Sequence, residues 1–205
     1  MVSLIASHAA SVLAGLSVLA IDTPWLAAAY FLVCRLAYVV YVGVSLKREE
    51  SREDRAGADA RYERFKSRAN FLMNNDAVAF VALCLVTRFM IPLPMELLIP
   101  AGVVLMAAGL GCKFWAAKTL GLSSYFWKDF FVPPDRFESC REGPYRLLRN
   151  PMYTVGYAHA YGSALATASL VGLIAAAFDH ATILALYWAV EKPHVKRQTE
   201  LAVLP

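Results

Sequence analysis

Charge is scarce in this sequence and unevenly spread. Only 18% of its 205 residues are Asp, Glu, Lys or Arg, against 59% apolar, and the mean hydropathy is +0.48. Soluble domains carry about a quarter charged residues, so this composition excludes an ordinary water-soluble globule. Ser3–Ile21 has no charge, Trp25–Leu46 has only Arg35, and Leu97–Ala117 has only Lys113. Cysteine is scarce too. Cys34, Cys84, Cys112 and Cys140 form no CxxC pair, which argues against a disulfide framework and against a zinc site, and no metal is expected. No basic segment precedes Ser3–Ile21, and that run is long enough to span, so a cleavable leader is not indicated. The formal charge of +4 is too modest to signal a nucleic-acid partner.

What is present is a set of apolar runs of membrane-crossing length. A helix needs about 20 residues to cross roughly 30 Å of hydrocarbon. Ser3–Ile21 and Trp25–Leu46 meet that length and are separated by Asp22-Thr23-Pro24; Phe71–Met90 and Met95–Ala117 follow, separated by Pro92-Leu93-Pro94. Tyr153–Val190 is too long for one crossing, since it would measure about 57 Å as a helix. A turn near Ser169–Gly172 divides it into two crossings and leaves Asp179 and His180 inside the last one. The polar stretch Lys47–Asn70, mixed in sign, reads as helical extensions around a solvated connector. Lys118–Asn150, with Tyr125, Phe126, Trp127, Phe130 and Phe131, reads as an interfacial segment.

Basic residues cluster in Lys47–Asn70, in Lys118–Asn150 and after the last span, whereas the opposite turns carry little beyond Arg88. By the positive-inside rule both connectors and both termini lie in the cytoplasm. The expected fold is therefore all-α and integral to the membrane. It has about six transmembrane helices, both termini cytoplasmic, and the last two helices as a hairpin, in one domain over residues 1–205. Such a hairpin returns Glu191 to the depth of Asn150, making neighbours of Gly143–Tyr153 and Glu191–His194. Gly109 and Gly111 approach the same layer from the preceding span.

These segments carry motifs. Gly143-Pro144-Tyr145-Arg146-Leu147-Leu148-Arg149-Asn150-Pro151-Met152-Tyr153 resembles the signature of integral-membrane S-adenosylmethionine-dependent methyltransferases, the group of phospholipid N-methyltransferases and isoprenylcysteine carboxyl methyltransferases. Asn-Pro-Met-Tyr is nearer the phosphatidylethanolamine type. Val190-Glu191-Lys192-Pro193-His194 resembles the Glu-x-Pro-His ending of the large fungal members, and Gly109-Leu110-Gly111 with Gly121 is similar to the family's Gly-x-Gly helix. Lys192 stands where the family commonly has a second acidic residue. The resemblance covers roughly Leu105–Arg197. It implies that residues 1–94 supply N-terminal helices and a connector, and residues 95–205 a cofactor-binding catalytic core.

The implied cofactor is S-adenosylmethionine, held by Gly109, Gly111, Gly143, Pro144, Tyr145, Arg149, Asn150, Pro151 and Glu191. The implied catalytic groups are Glu191, His194 and Tyr153. The implied partners are a membrane lipid substrate and the bilayer itself. A bacterial inner membrane with the site facing the cytoplasm is the expected location. Physically, methyl transfer from a sulfonium is an in-line displacement, so holding the methyl against a lone pair is the main task. An aminolipid acceptor must also lose a proton, which calls for a carboxylate or imidazole within reach. The Arg149 fork suits a carboxylate or phosphate. Carboxyl O-methylation of an isoprenylcysteine or other small apolar acid, and a non-catalytic lipid-binding protein of the same fold, are the alternatives. Gly109 and Gly111 also have a simpler reading as helix-packing residues. Asn74, Asn75 and Asp76 read first as helix caps, and Asp179 and His180 as loop or structural residues.

Overall fold

The computed structural model of the protein describes residues 23–132 and 140–201. The first expected span, Ser3–Ile21, lies outside them. Three long helices come first: α1 (Pro24–Glu50), α2 (Ala58–Val86) and α3 (Met95–Leu120). A short α4 (Leu122–Tyr125) and 3-10 turns at Lys128–Phe130, Gly143–Arg146 and Val155–Tyr157 lead into α5 (Ala158–Ala166). Helix α6 (Leu170–Leu186) then passes through a π turn at Tyr187–Glu191 into α7 (Lys192–Leu201). No strand occurs among the described residues.

Four helical stretches are long and apolar enough to cross a membrane: α1, α2, α3 and the continuous Leu170–Glu200. Their outer faces carry large apolar side chains, among them Val33, Leu36, Val104 and Phe114. Exposed apolar surface on this scale is suited to lipid and unsuited to water. This is a multi-pass membrane protein.

The polar stretch after α1 is mostly helical, as the mixed charges predict. Only residues 51–57 interrupt it. Gly57, at φ +66, turns the chain into α2, and Arg61 Nε closes the turn on Glu49 at 3.0 and 3.1 Å from its two oxygens. One consequence corrects the capping assignment of Asn74, Asn75 and Asp76. Because α2 begins at Ala58, all three lie well inside the helix, where no free N–H groups need a cap.

The expected hairpin turn is present, at Thr167–Ser169. Ala168 takes a positive φ of 51, and Ser169 Oγ accepts from Gly172 N–H at 2.7 Å, capping α6. The α2–α3 turn docks here, with the Phe89, Met90 and Ile91 amides donating to the carbonyls of Thr167 and Ala168. Asp179 and His180 are therefore helical. The fifth span differs from expectation: α5 has only nine residues, about 14 Å of helix, half the hydrocarbon depth. It lies against α3 with the two backbones nearly touching. A Cβ on Gly162 would stand 2.5 Å from the Gly102 carbonyl oxygen, and one on Gly109 would stand 2.3 Å from His159 N. Only glycine permits such contact, the usual device where lipid removes the hydrophobic driving force for helix association.

Two apolar clusters fill the bundle. One joins Phe31, Phe80 and Leu83 to the small residues Ala160, Ala164 and Ala176. The other joins Val42, Leu46, Phe65, Phe131, Ile183 and Leu186. Between them in sequence, on three different helices, sit the buried charges Arg35, Asp76 and Asp179.

Candidate active site

Asn150 and Pro151 form the turn that aims Tyr153. The Asn150 carbonyl accepts from the amides of Tyr153 and Thr154, and the Pro151 carbonyl from Gly156 N–H at 2.8 Å. His180 pins this turn from α6: its Nε2 lies 2.7 Å from the Tyr153 carbonyl, and its ring stacks on Tyr157 with centroids 4.6 Å apart. Thus fixed, Tyr153 OH donates to Glu191 Oε1 at 2.6 Å, across 38 residues of sequence. The two segments expected to meet do meet.

Glu191 closes the π turn. A π turn widens one turn of helix and often marks a functional position. It also ends two residues before Pro193, which supplies no N–H to the helix, and the chain runs on as helix through the proline. Lys192 faces outward, with Nζ 3.6 Å above the Trp188 ring centroid, and leaves Glu191 as the acidic group at this end of the helix.

The Gly143–Arg146 turn lies against the end of α3. Gly143 has φ +52, and a Cβ there would stand 2.5 Å from Thr119 Oγ1 and 3.0 Å from Trp115 Nε1. Pro144 is buried. Tyr145 is held by this turn with its hydroxyl buried and without a hydrogen-bond partner among the described residues. Burial pushes its phenol up to about 12, so it stays a proton donor at neutral pH. Arg149 is exposed with no carboxylate beside it among the described residues.

This donor set suits a ligand with a carboxylate and hydroxyls. Tyr145 offers a hydrogen and Glu191 offers acceptor oxygens, while Arg149 lies exposed on the same motif and makes no hydrogen bond or ion pair to either among the described residues. The glycine helix fits less well than its motif suggests. The space beside Gly109 is filled by the His159 backbone, and Gly111 faces open space on the exposed side of α3. Gly109 therefore serves helix packing.

His194 turns elsewhere. Its Nδ1 lies 2.9 Å from Glu50 Oε1, its Nε2 lies 3.2 Å from Asp129 Oδ2, and its ring stacks on Phe130 at 3.7 Å. Arg197 also pairs with Glu50. These contacts latch α7 to the end of α1 and to the interfacial turn. Among the described residues, no hydrogen bond or ion pair links His194 to Tyr153 or to the Gly143–Arg146 turn.

Sequence reasoning left one cluster unassembled. Arg35 Nη1 pairs with Asp76 Oδ2 at 2.9 Å and with Asp179 Oδ1 at 2.6 Å. Its Nε donates to Thr182 Oγ1, and its Nη2 to Tyr157 OH and the Asp179 carbonyl. The signal was available: a charge alone in an apolar span needs a partner from another span.

Together these features define a helical membrane protein with a polar site at one end of its last long helix. The profile of the phospholipid methyltransferase family matches residues 97–199, and the chain belongs to that family. It is 35% identical over 97 residues to phosphatidylethanolamine N-methyltransferases of Aspergillus fumigatus and Aspergillus oryzae, and 36% identical to that of Talaromyces marneffei. Each match covers 47% of this chain and 10% of the relative, so the similarity spans about a tenth of the relatives' length. These relatives are fungal and lend no support to a bacterial inner membrane. No solved structure gives a significant match.

Proposed function

We propose that this protein transfers a methyl group from S-adenosylmethionine to the amine of a phosphatidylethanolamine-type lipid. The observation that carries the proposal is the hydrogen bond from Tyr153 to Glu191. It joins the Gly143–Tyr153 motif to the carboxylate at the helix end, two segments 38 residues apart that both carry the family resemblance.

The bound cofactor supplies an electrophilic methyl on a sulfonium. Tyr145 and Arg149 would hold its anionic end, and Glu191 would accept from its hydroxyl or ammonium hydrogens. When bound, the cofactor would offer that methyl to the lone pair of the lipid amine, the C–S electron pair leaving with sulfur. The proton leaves the amine for Glu191, with Tyr153 orienting the accepting carboxylate. The basic residues of 47–70 and 118–149 support a cytoplasmic site, with the lipid entering sideways between helices.

Expression in a host without methylated phosphatidylethanolamine tests the proposal. Lipid mass spectrometry should show methylated derivatives with the active protein and none with Glu191→Gln. Because the reactive amine is the unprotonated form, the rate in isolated membranes should rise between about pH 7 and 9. A flat profile over that range would point to an acceptor that needs no deprotonation, such as a carboxylate.

A further inference from the structure

His180 stands about three helical turns before Glu191 on one continuous helix, and it grips Tyr153 by the backbone. The turn around Tyr153 sends its carbonyl no backbone donor. Gly156 N–H goes to the Pro151 carbonyl at 2.8 Å and Tyr157 N–H to the Thr154 carbonyl at 3.0 Å. His180 Nε2, at 2.7 Å, fills the vacant place, and a bare backbone acceptor within a membrane bundle is costly. A carbonyl oxygen only accepts, so Nε2 carries the ring proton. The other nitrogen, Nδ1, faces the Tyr161 hydroxyl at 3.2 Å, and that hydroxyl can donate to it. The ring plane is fixed as well. It lies 9° from the plane of Tyr157, whose hydroxyl accepts from Arg35 Nη2 at 3.2 Å. With both nitrogens and one face engaged, the imidazole is held in one orientation and one tautomer. The far end of Tyr153 is constrained too. Its ring meets Tyr187 edge-on at 5.8 Å, and Tyr187 opens the π turn that Glu191 closes.

We propose that His180 is a positioning residue for Glu191: as the Nε2–H tautomer, set by Tyr161, it fixes the Tyr153 backbone so that the Tyr153 hydroxyl meets the carboxylate at 2.6 Å. Tyr153 thereby bridges two points of one helix, its carbonyl on His180 and its hydroxyl on Glu191. His180 acts through Tyr153 and hydrogen-bonds no part of the Gly143–Arg146 turn among the described residues. Its effect on rate rests on the methyl-transfer reading given above, whereas its tautomer rests on geometry alone. The rival role is that of a ring packed on Tyr157 with no part in aiming Tyr153.

Two measurements test this, the first without turnover. Nitrogen-15 spectra of the detergent-purified protein with labelled histidine, the His180 signal being the one lost in His180→Gln, should show Nε2–H and a bare Nδ1. Tyr161→Phe should mix the two tautomers. An Nδ1–H ring or an imidazolium in the native chain overturns the proposal. The second measurement is methyl transfer in phosphatidylethanolamine liposomes. His180→Phe keeps a ring against Tyr157 and removes the N–H, so kcat should fall about 10- to 100-fold with KM within about twofold. His180→Gln, whose amide N–H stands near the place of Nε2, should recover most of that loss. In a Tyr153→Phe background, His180→Phe should cost little more, because the hydroxyl it aims is gone. An unchanged kcat in His180→Phe, a full further loss in that background, or no recovery with His180→Gln overturns the proposal. The expected tautomer in a chain that transfers no methyl would uphold the positioning of Tyr153 and remove the proposed reaction.

Discussion

Tyr153 and Glu191 make the contact on which the proposed chemistry depends, and it can be removed one atom at a time. Tyr153→Phe deletes the hydroxyl and keeps the ring. A hydrogen bond to a charged group is worth about 1.5–3 kcal/mol. If it orients the carboxylate in the transition state, the methyl-transfer rate should fall about 10- to 100-fold, with little change in the thermal midpoint. An unchanged rate would mean that Tyr153 only packs. His194 is expected to behave oppositely. Its contacts with Glu50, Asp129 and Phe130 join α7 to α1, so His194→Ala should lower the thermal midpoint and leave turnover per folded molecule nearly intact. A variant of unchanged stability that had lost turnover would restore His194 to the chemistry.

At the same scale lies the limit of what the sequence disclosed. The juxtaposition of Tyr153 and Glu191 was legible because helix length alone returns the chain to the same depth. The partners of His194 were not. Glu50 and Asp129 belong to other elements, and the three-residue spacing between Glu191 and His194 says nothing about which of them a neighbouring helix will claim. Arg35, Asp76 and Asp179 were each visible as a polar residue in or beside an apolar span. Asp76 reads as a cap from the sequence because strong hydropathy begins only at Phe71, whereas α2 begins at Ala58.

The α3–α5 contact is the element on which the site rests. Gly102, Gly109 and Gly162 let the two backbones meet, and α5 in turn carries the Tyr153 turn at its start. Adding one methyl at Gly162 would set it 2.5 Å from the Gly102 carbonyl oxygen, against backbone that cannot turn aside. Overpacking of this kind costs about 1–3 kcal/mol. Gly162→Ala should therefore depress the thermal midpoint, whereas Gly111→Ala, which meets nothing within 4 Å, should not. Equal sensitivity at the two positions would indicate that Gly111 contacts a ligand or another chain. The Gly-x-Gly pattern shows this division only in three dimensions, since both glycines look alike in a linear motif. The shortness of α5 was equally hidden: Tyr153–Thr167 carries no Asp, Glu, Lys or Arg, but Asn150–Tyr157 spends its length on turns that place Tyr153 and Tyr157.

Across the whole molecule, a buried cationic side chain binds three helices together. Arg35 on α1 holds Asp76 on α2 and Asp179 on α6. Removing one member of a buried ion cluster strands the others, at about 3–5 kcal/mol. Arg35→Met should thus destabilise the fold far more than Arg52→Ala at the exposed α1–α2 turn, a difference readable in detergent melting curves. The turns themselves also divide by side. The Thr87–Pro94 turn packs on Thr167–Ser169 at one end of the bundle, and residues 51–57 lie at the other. Single cysteines at Arg52 and Arg88 should react with a membrane-impermeant thiol reagent from opposite faces. Labelling of both from one face would contradict the arrangement.

The central claim is that the Glu191 end of the last long helix directs a methyl group onto a lipid amine. The direct test places the purified protein in phosphatidylethanolamine liposomes with methyl-labelled S-adenosylmethionine and follows label into extracted lipid. The account predicts labelled phosphatidylethanolamine derivatives with the native chain and a loss of about 10²- to 10⁴-fold with Glu191→Gln, the usual contribution of a positioned proton acceptor. No label in the lipid, or equal label with Glu191→Gln, would contradict it.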